Sequence, residues 1–317
     1  MTFNAAIKKI DYGIRNQLDV VYFINIYRKV FGLLHFSAFD TKHSSFYRAR
    51  HTSNQELFKH VDELKYPPAN CVTERGRLND IGESVAYMSA GQLAPIAEMD
   101  FDYYQFFCMA EIEYCKQDIY FFDIGIKAQR EGWTRESLEF IEYLNGLLIS
   151  PSKENYPATI ALYQTMIRKD TLDGEMKLYT GLAYNSAQEH KTNQILHNIA
   201  VNAQTFDDCF KISSASYYLM AFSSQKTNVL QEINRSLICE DGSIAWEKSF
   251  DEMTEYCNRE YGNNCFYAEI TEGMPCVIKY SEGSGRVIDS DNMHYVVNFN
   301  KLDKIMKIDK DFVIMEE

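Results

Sequence analysis

Arg75-Gly76-Arg77-Leu78-Asn79-Asp80-Ile81-Gly82, followed by Ser84-Val85-Ala86-Tyr87-Met88 and ending at Glu98, is the stretch that decides how this chain is read. Two glycines bracket Arg77 and Asn79, so the backbone between them can bend tightly. Val85 to Met88 has the texture of a short buried strand. Residues 92–99 read as a short helix with Glu98 near its end. Pro95 fits that helix only in the first turn, where its missing N–H leaves no partner unpaired. A guanidinium, a phenol and a carboxylate thus come on a loop, a strand and a helix within twenty-four residues.

Upstream, Phe3, Ile7, Ile10, Ile14, Leu18 and Val21 follow a three/four spacing that predicts a helix over 3–34, with Gly13 as an interruption and Gly32 as its stop. Such a helix ordinarily covers a core face. Residues 45–50 read as a strand that puts Arg48 and Arg50 on one face. Residues 53–64 read as a short helix ended by Tyr66-Pro67-Pro68.

Downstream, 104–110 and 119–124 read as strands, and Thr134 as the N-cap of a helix over 135–149. A second helix is expected over 156–169, then a strand over 178–184 leading to Ser186. Further strands are expected in 195–201, 210–212 and 217–220. From about 226 the texture changes: 228–237 looks helical, and 265–270 and 274–280 look β-like. Strands lie beside strands rather than alternating strictly with helices, which favours an α+β fold over a doubly wound sheet. Three segments are expected: an N-terminal helical part (1–44), a central α+β domain (45–225) and a C-terminal α/β extension (226–317).

Composition narrows the function. The chain of 317 residues has 32 basic and 45 acidic side chains, for a formal charge of −13. Broad nucleic-acid binding needs a basic footprint that this balance does not supply. Eight cysteines occur with no C-x-x-C spacing, and the seven histidines form no compact motif, so no metal site is expected. No apolar run approaches the about 18 residues of a membrane span, and no signal peptide is evident. The expected setting is the cytoplasm, with reduced thiols. The P-loop, the G-x-S-x-G elbow and H-E-x-x-H are all missing. Gly283 and Gly285 form a glycine pair without the strand-to-helix context of a dinucleotide loop.

The order Arg75-Gly-Arg77-Leu-Asn79-x-x-Gly82-x-x-x-x-Tyr87, with Glu98 eleven residues later, resembles the core motif of the RES domain family. That family has a glycine-arginine turn, a strand ending in Tyr, a helix ending in Glu, and a later strand leading into Ser with an Asn shortly after. Here the last part reads Gly181-Leu182-Ala183-Tyr184-Asn185-Ser186, then Asn193, and Tyr47-Arg48-Ala49 resembles the strand that opens the domain. The resemblance covers roughly residues 45–205. Three positions depart from it: Thr180 stands where Asp is frequent, Ala187 follows Ser186 where a second serine is common, and Pro95 sits within the helix before Glu98.

The resemblance implies an ADP-ribosyltransferase-like mixed sheet with flanking helices. It also implies an enzyme that takes NAD as substrate, with no further cofactor, and breaks the nicotinamide–ribose bond by hydrolysis or phosphorolysis. Family members are toxins, so an antitoxin protein is the implied partner alongside NAD. The residue types suit the reaction. Nicotinamide leaves as a neutral molecule from a cationic nucleotide, so no acid is needed to expel it. The oxocarbenium-like ribose does need a carboxylate, and Glu98 takes that role. Arg77, with Arg48 as a second, suits the pyrophosphate. Tyr87 offers a ring face and a hydroxyl, Ser186 a hydroxyl for the carboxamide or a phosphate, and Asn79 and Asn193 brace their loops. Singly, each is ordinary: an Arg in a turn, a Tyr in a core, a Glu on a helix end. Their joint order carries the reading. Its rivals are an ADP-ribosyltransferase acting on a macromolecule and a catalytically silent NAD-binding protein. Oligomeric state is not encoded in any of these features.

Overall fold

The first two helices begin where short polar side chains catch free amides. In α1 (Phe3–Arg15) Thr2 Oγ1 accepts from the Ala5 amide at 3.3 Å. In α2 (Val20–Val30) Asp19 Oδ1 accepts from the Tyr22 amide at 3.1 Å. The single helix expected over 3–34 is therefore two helices. The break falls at residues 16–19, where Gln17 adopts φ 50°. Gly13 does not interrupt anything; it is the point of closest approach, and a Cβ there would lie 2.6 Å from the Tyr22 ring.

The computed structural model describes residues 1–33, 38–40, 45–52, 56–99, 106–115, 120–125, 133–167, 181–186, 197–222, 228–261, 276–281, 284–288, 294–298 and 305–308. Ten strands form one sheet: β1 (Ala38–Asp40), β2 (Phe46–His51), β3 (Val85–Ser89), β4 (Phe106–Tyr114), β5 (Tyr120–Asp123), β6 (Gly181–Asn185), β7 (His197–Asn202), β8 (Phe210–Phe222), β9 (Asn228–Ile238) and β10 (Ile244–Trp246). Their order is β1-β5-β6-β7-β3-β2-β4-β8-β9-β10. Among the described residues only β5 and β6 pair in parallel. The remaining α-helices among the described residues are α3 (Leu93–Glu98), α4 (Arg135–Ile149), α5 (Tyr156–Ile167), α6 (Ala203–Cys209) and α7 (Phe250–Tyr261). This mixture is α+β. A separate antiparallel meander follows in β11 (Cys276–Ser281), β12 (Ser284–Ile288), β13 (His294–Asn298) and β14 (Ile305–Ile308).

The large sheet is not flat. Phe46 in β2 and Phe121 in β5 are four strands apart, a span of about 19 Å at the usual strand spacing. Their ring centroids lie 6.0 Å apart. Phe210 in β8 touches both rings, at 5.8 and 6.4 Å. Only a strongly curled sheet brings these strands face to face. The inner face holds one apolar cluster, with Phe46, Met88, Cys108, Phe121, Ile199 and Tyr217. The outer face of β3, β5, β6 and β7 holds the other, under α1, α2, α4 and α5. The seam of the curl lies between β2 and β3, which share one ladder pair, Tyr47 with Ser89.

Two expected helices are not helices. In 53–64 the described part has only a 3-10 turn, Val61–Glu63. Its backbone is tied to the β9–β10 hairpin instead: the Val61 amide donates to Gly242 O at 2.9 Å and the Ile244 amide to Lys59 O at 2.9 Å. Residues 228–237 are strand β9. The register with β8 shifts at Tyr217/Tyr218, leaving Ile233 as an extra residue between Glu232 and Asn234. That bulge changes the phase of the alternation and leaves Leu230, Ile233 and Leu237 at helix-like spacing. The β8–β9 pairing also carries the large sheet past residue 226, so the segment boundary expected there falls inside a hairpin. Helix α7 extends the same core, burying Met253 and Cys257. The expected strand over 265–270 lies outside the described residues. Among those residues no helix is long and apolar enough to cross a membrane.

Because Phe46 is fully buried at the meeting of β2, β5 and β8, Phe46→Ala should destabilise the protein by about 3–5 kcal/mol. Denaturant unfolding followed by circular dichroism measures this, and a change within experimental error would contradict the curled arrangement.

Candidate functional site

The loop at 75–82 is held from several sides. Leu78 is fully buried and plugs it into the helix-covered core. The Gly76 amide donates to Asn79 O at 3.0 Å, and a Cβ on Gly76 would lie 2.2 Å from Asn79 Oδ1. Gly82 takes φ 77°, a left-handed conformation that suits glycine. Tyr87 reaches the loop from β3: its hydroxyl donates to Asn79 Oδ1 at 2.9 Å and accepts from the Leu78 amide at 2.9 Å. From α5, Thr159 Oγ1 donates to Arg77 O at 2.5 Å. Arg75 lies outside this knot and pairs with Asp80 at 2.9 Å. The loop-bracing role expected of Asn79 is what the structure shows.

The Tyr87 hydroxyl is therefore occupied by the loop, with burial pushing its ionisation well above the usual phenol range. It orders the loop that carries Arg77. The Arg77 side chain has no hydrogen bond or ion pair among the described residues. It acts at longer range on the phenols of Tyr87 and Tyr184, favouring their ionised forms.

Glu98 ends α3, and Pro95 is the third residue of that helix, within the first turn as the sequence requires. The carboxylate meets the end of β6. Ser186 Oγ donates to Glu98 Oε1 at 2.7 Å. Asn198 Nδ2, from β7, donates to the same oxygen. Asn198 Oδ1 in turn accepts from Ser89 Oγ at 2.8 Å. Ser89, Ser186 and Asn198 are all buried, whereas Glu98 is exposed. Its Oε2 carries no hydrogen bond among the described residues. A buried polar triad thus grips one carboxylate oxygen and presents the other.

No protein-family model, curated protein or solved structure matches this chain. The site accordingly stands on its own geometry.

Tyr184 joins the two halves. It is buried on β6, and burial raises its ionisation far above the ordinary value; Tyr87 and Glu98 add to this, while Arg77 and a hydrogen bond with Asn198 oppose it. Arg77 and Glu98 thus lie within electrostatic reach of one phenol. Arg48 stands apart, on the inner side of the seam. Its Nη1 donates to Tyr87 O at 3.0 Å, just beyond the single β2–β3 ladder pair. Burial, and then the like charge of Arg50, lowers its ionisation to about 10, so it stays cationic at neutral pH. Its Nε is buried without a hydrogen-bond partner among the described residues. Arg50 points to Phe58 and the Glu63 carbonyl instead.

Of the residues expected in the site, Glu98 and Ser186 meet directly, and Arg77 and Tyr87 meet through the loop. Arg48 contacts the Tyr87 backbone. Asn193 lies outside the described residues. The Ser186 hydroxyl donates to Glu98. Asn198, Ser89 and Tyr184 were missed. The available signal was weak: Asn198 stands in the apolar strand His197-Asn-Ile-Ala-Val, and an amide at a core-facing position requires hydrogen-bond partners.

Tyr87→Phe leaves the Leu78 amide and Asn79 Oδ1 without their shared partner. The variant should lose about 1–3 kcal/mol of stability, read by denaturant unfolding, with proteolysis expected to open first within residues 75–82.

Proposed function

We propose that this chain is an NAD-cleaving enzyme, built on an ADP-ribosyltransferase-like sheet, that breaks the nicotinamide–ribose bond by hydrolysis or phosphorolysis. The observation that carries the reading is the Glu98 carboxylate, with Oε1 fixed by Ser186 and Asn198 and Oε2 left for a ligand. The Arg77 guanidinium, with no partner among the described residues and within electrostatic reach of Tyr184, supports it.

The chemistry follows from this arrangement. Bond cleavage leaves positive charge on the ribose as nicotinamide departs. A carboxylate held rigidly beside that carbon lowers the barrier because it needs no reorientation as charge develops. The same Oε2 can hold a ribose hydroxyl or take a proton from the attacking water or phosphate. Arg77 offers a planar fork for the pyrophosphate, on a loop already ordered by Tyr87, Asn79 and Thr159. Ser186 and Asn198 act through Glu98 as positioning residues.

Incubation of the protein with NAD, with mass spectrometry of the products in the presence and absence of phosphate, tests the proposal. Free nicotinamide should appear, with ADP-ribose or its phosphate as the other product. Glu98→Gln should lower turnover by about 10²–10⁴-fold while NAD still binds. Arg77→Ala should chiefly raise KM, and Asn198→Ala should lower kcat with little change in KM. Absence of nicotinamide release by the wild type would overturn hydrolysis and phosphorolysis, and label appearing only on a protein would assign group transfer instead.

A further inference from the structure

The face of the sheet that bears Glu98 continues beyond α3. Side chains directly opposed in a ladder point to the same side. Ser89, which anchors the Asn198 side of the site, lies opposite Tyr47 on β2. Tyr47 lies opposite Glu111 on β4, and Glu111 opposite Ser214 on β8. Helices α1, α2, α4 and α5 cover the β3 side of this face, and α3 packs across β2 and β3. Beyond α3 the face is concave and polar. A pocket of about 330 Å³ opens there, lined by Tyr47, Gln92, Glu111, Ser216, Tyr218 and Glu232 among others. That volume is in the range of small-ligand sites.

The charges of the pocket do not cancel. Glu232 pairs with Arg235, whose Nη2 lies 3.1 Å from Glu232 Oε2. Glu111 has no such cation among the described residues. Its Oε1 accepts from the Tyr47 hydroxyl at 3.2 Å and its Oε2 from Ser214 Oγ at 3.0 Å. These hydroxyls hold the carboxylate in one orientation and leave each oxygen with spare accepting capacity. Tyr47 and Tyr218 are close enough to influence each other, and both line the space. A fixed, uncompensated carboxylate beside aromatic rings favours a cation of delocalised or diffuse charge.

We propose that this pocket is a second binding site, separate from the Glu98 site, for a small organic cation of alkylguanidinium or alkylammonium type that pairs with Glu111 between Tyr47 and Tyr218. The cation can be a free amine or a basic side chain of a protein segment; the chemistry recognised is the same. Gln92 links the two sites, because it hydrogen-bonds Tyr47 and is the residue from which α3 runs to Glu98.

Titration calorimetry of the full chain at low ionic strength tests the proposal with butylguanidinium and with its neutral counterpart butylurea. The cation should bind the wild type, and the urea should bind at least about tenfold more weakly, as expected for loss of a charge-assisted contact. Glu111→Gln should remove that preference, whereas Glu98→Gln should leave it unchanged, so this test fails independently of the NAD reading. Should Glu111→Gln not fold, Tyr218→Leu on the pocket wall should weaken the cation several-fold. An arginine tripeptide with blocked ends, binding tighter than butylguanidinium, assigns the cation to a protein; the reverse order assigns it to a free amine. Equal binding of cation and urea, no binding of either, or a preference that survives both pocket variants would overturn the proposal.

Discussion

The hydrogen-bond ladder between β2 and β3 closes with one pair and then gives way to the Arg48 guanidinium, which takes the Tyr87 carbonyl. That substitution of a side chain for a backbone partner is the constraint on which the rest depends. A continuous ladder would hold β2 and β3 together along their length and favour a flatter sheet. With the ladder open, β2, β4, β8 and β9 can fold back so that Phe46 and Phe210 reach Phe121. The cost is a buried cation with one nitrogen unsatisfied among the described residues, a cost natural folds accept chiefly where a site requires it.

Around that seam the site is built from rigid pieces rather than from the reactive groups themselves. Tyr87 spends its hydroxyl on the loop that carries Arg77, and the Ser186 hydroxyl and the Asn198 amide N–H are spent on Glu98. The effect is to settle orientation before a ligand arrives, so little ordering entropy remains to be lost on binding. Burial of Ser89, Ser186 and Asn198 strengthens the same effect, since hydrogen bonds shielded from water compete with no solvent.

Much of this was legible in the chain itself. The glycines at 76 and 82, the place of Pro95 in α3, the Thr134 cap and the convergence of Glu98 with Ser186 all depend on local chemistry or on motif order, which a sequence displays. What was hidden depends on distant partners. Strand β9 looks helical because a bulge opposite Tyr217 and Tyr218 alters its alternation, and only pairing with β8 reveals it. The helix expected at 53–64 is lost to bonds with residues 242 and 244, nearly two hundred positions away. Asn198 could not be chosen over its neighbours without knowing that β7 lies between β6 and β3.

The grip on Glu98 has a directional consequence. Two donors point at Oε1, and an amide N–H cannot turn into an acceptor. A proton carried by this carboxyl group is therefore directed to Oε2, the oxygen that carries no hydrogen bond among the described residues. Proton traffic at Glu98 is confined to a single door, and any group that hydrogen-bonds this carboxyl group afresh must do so on that side.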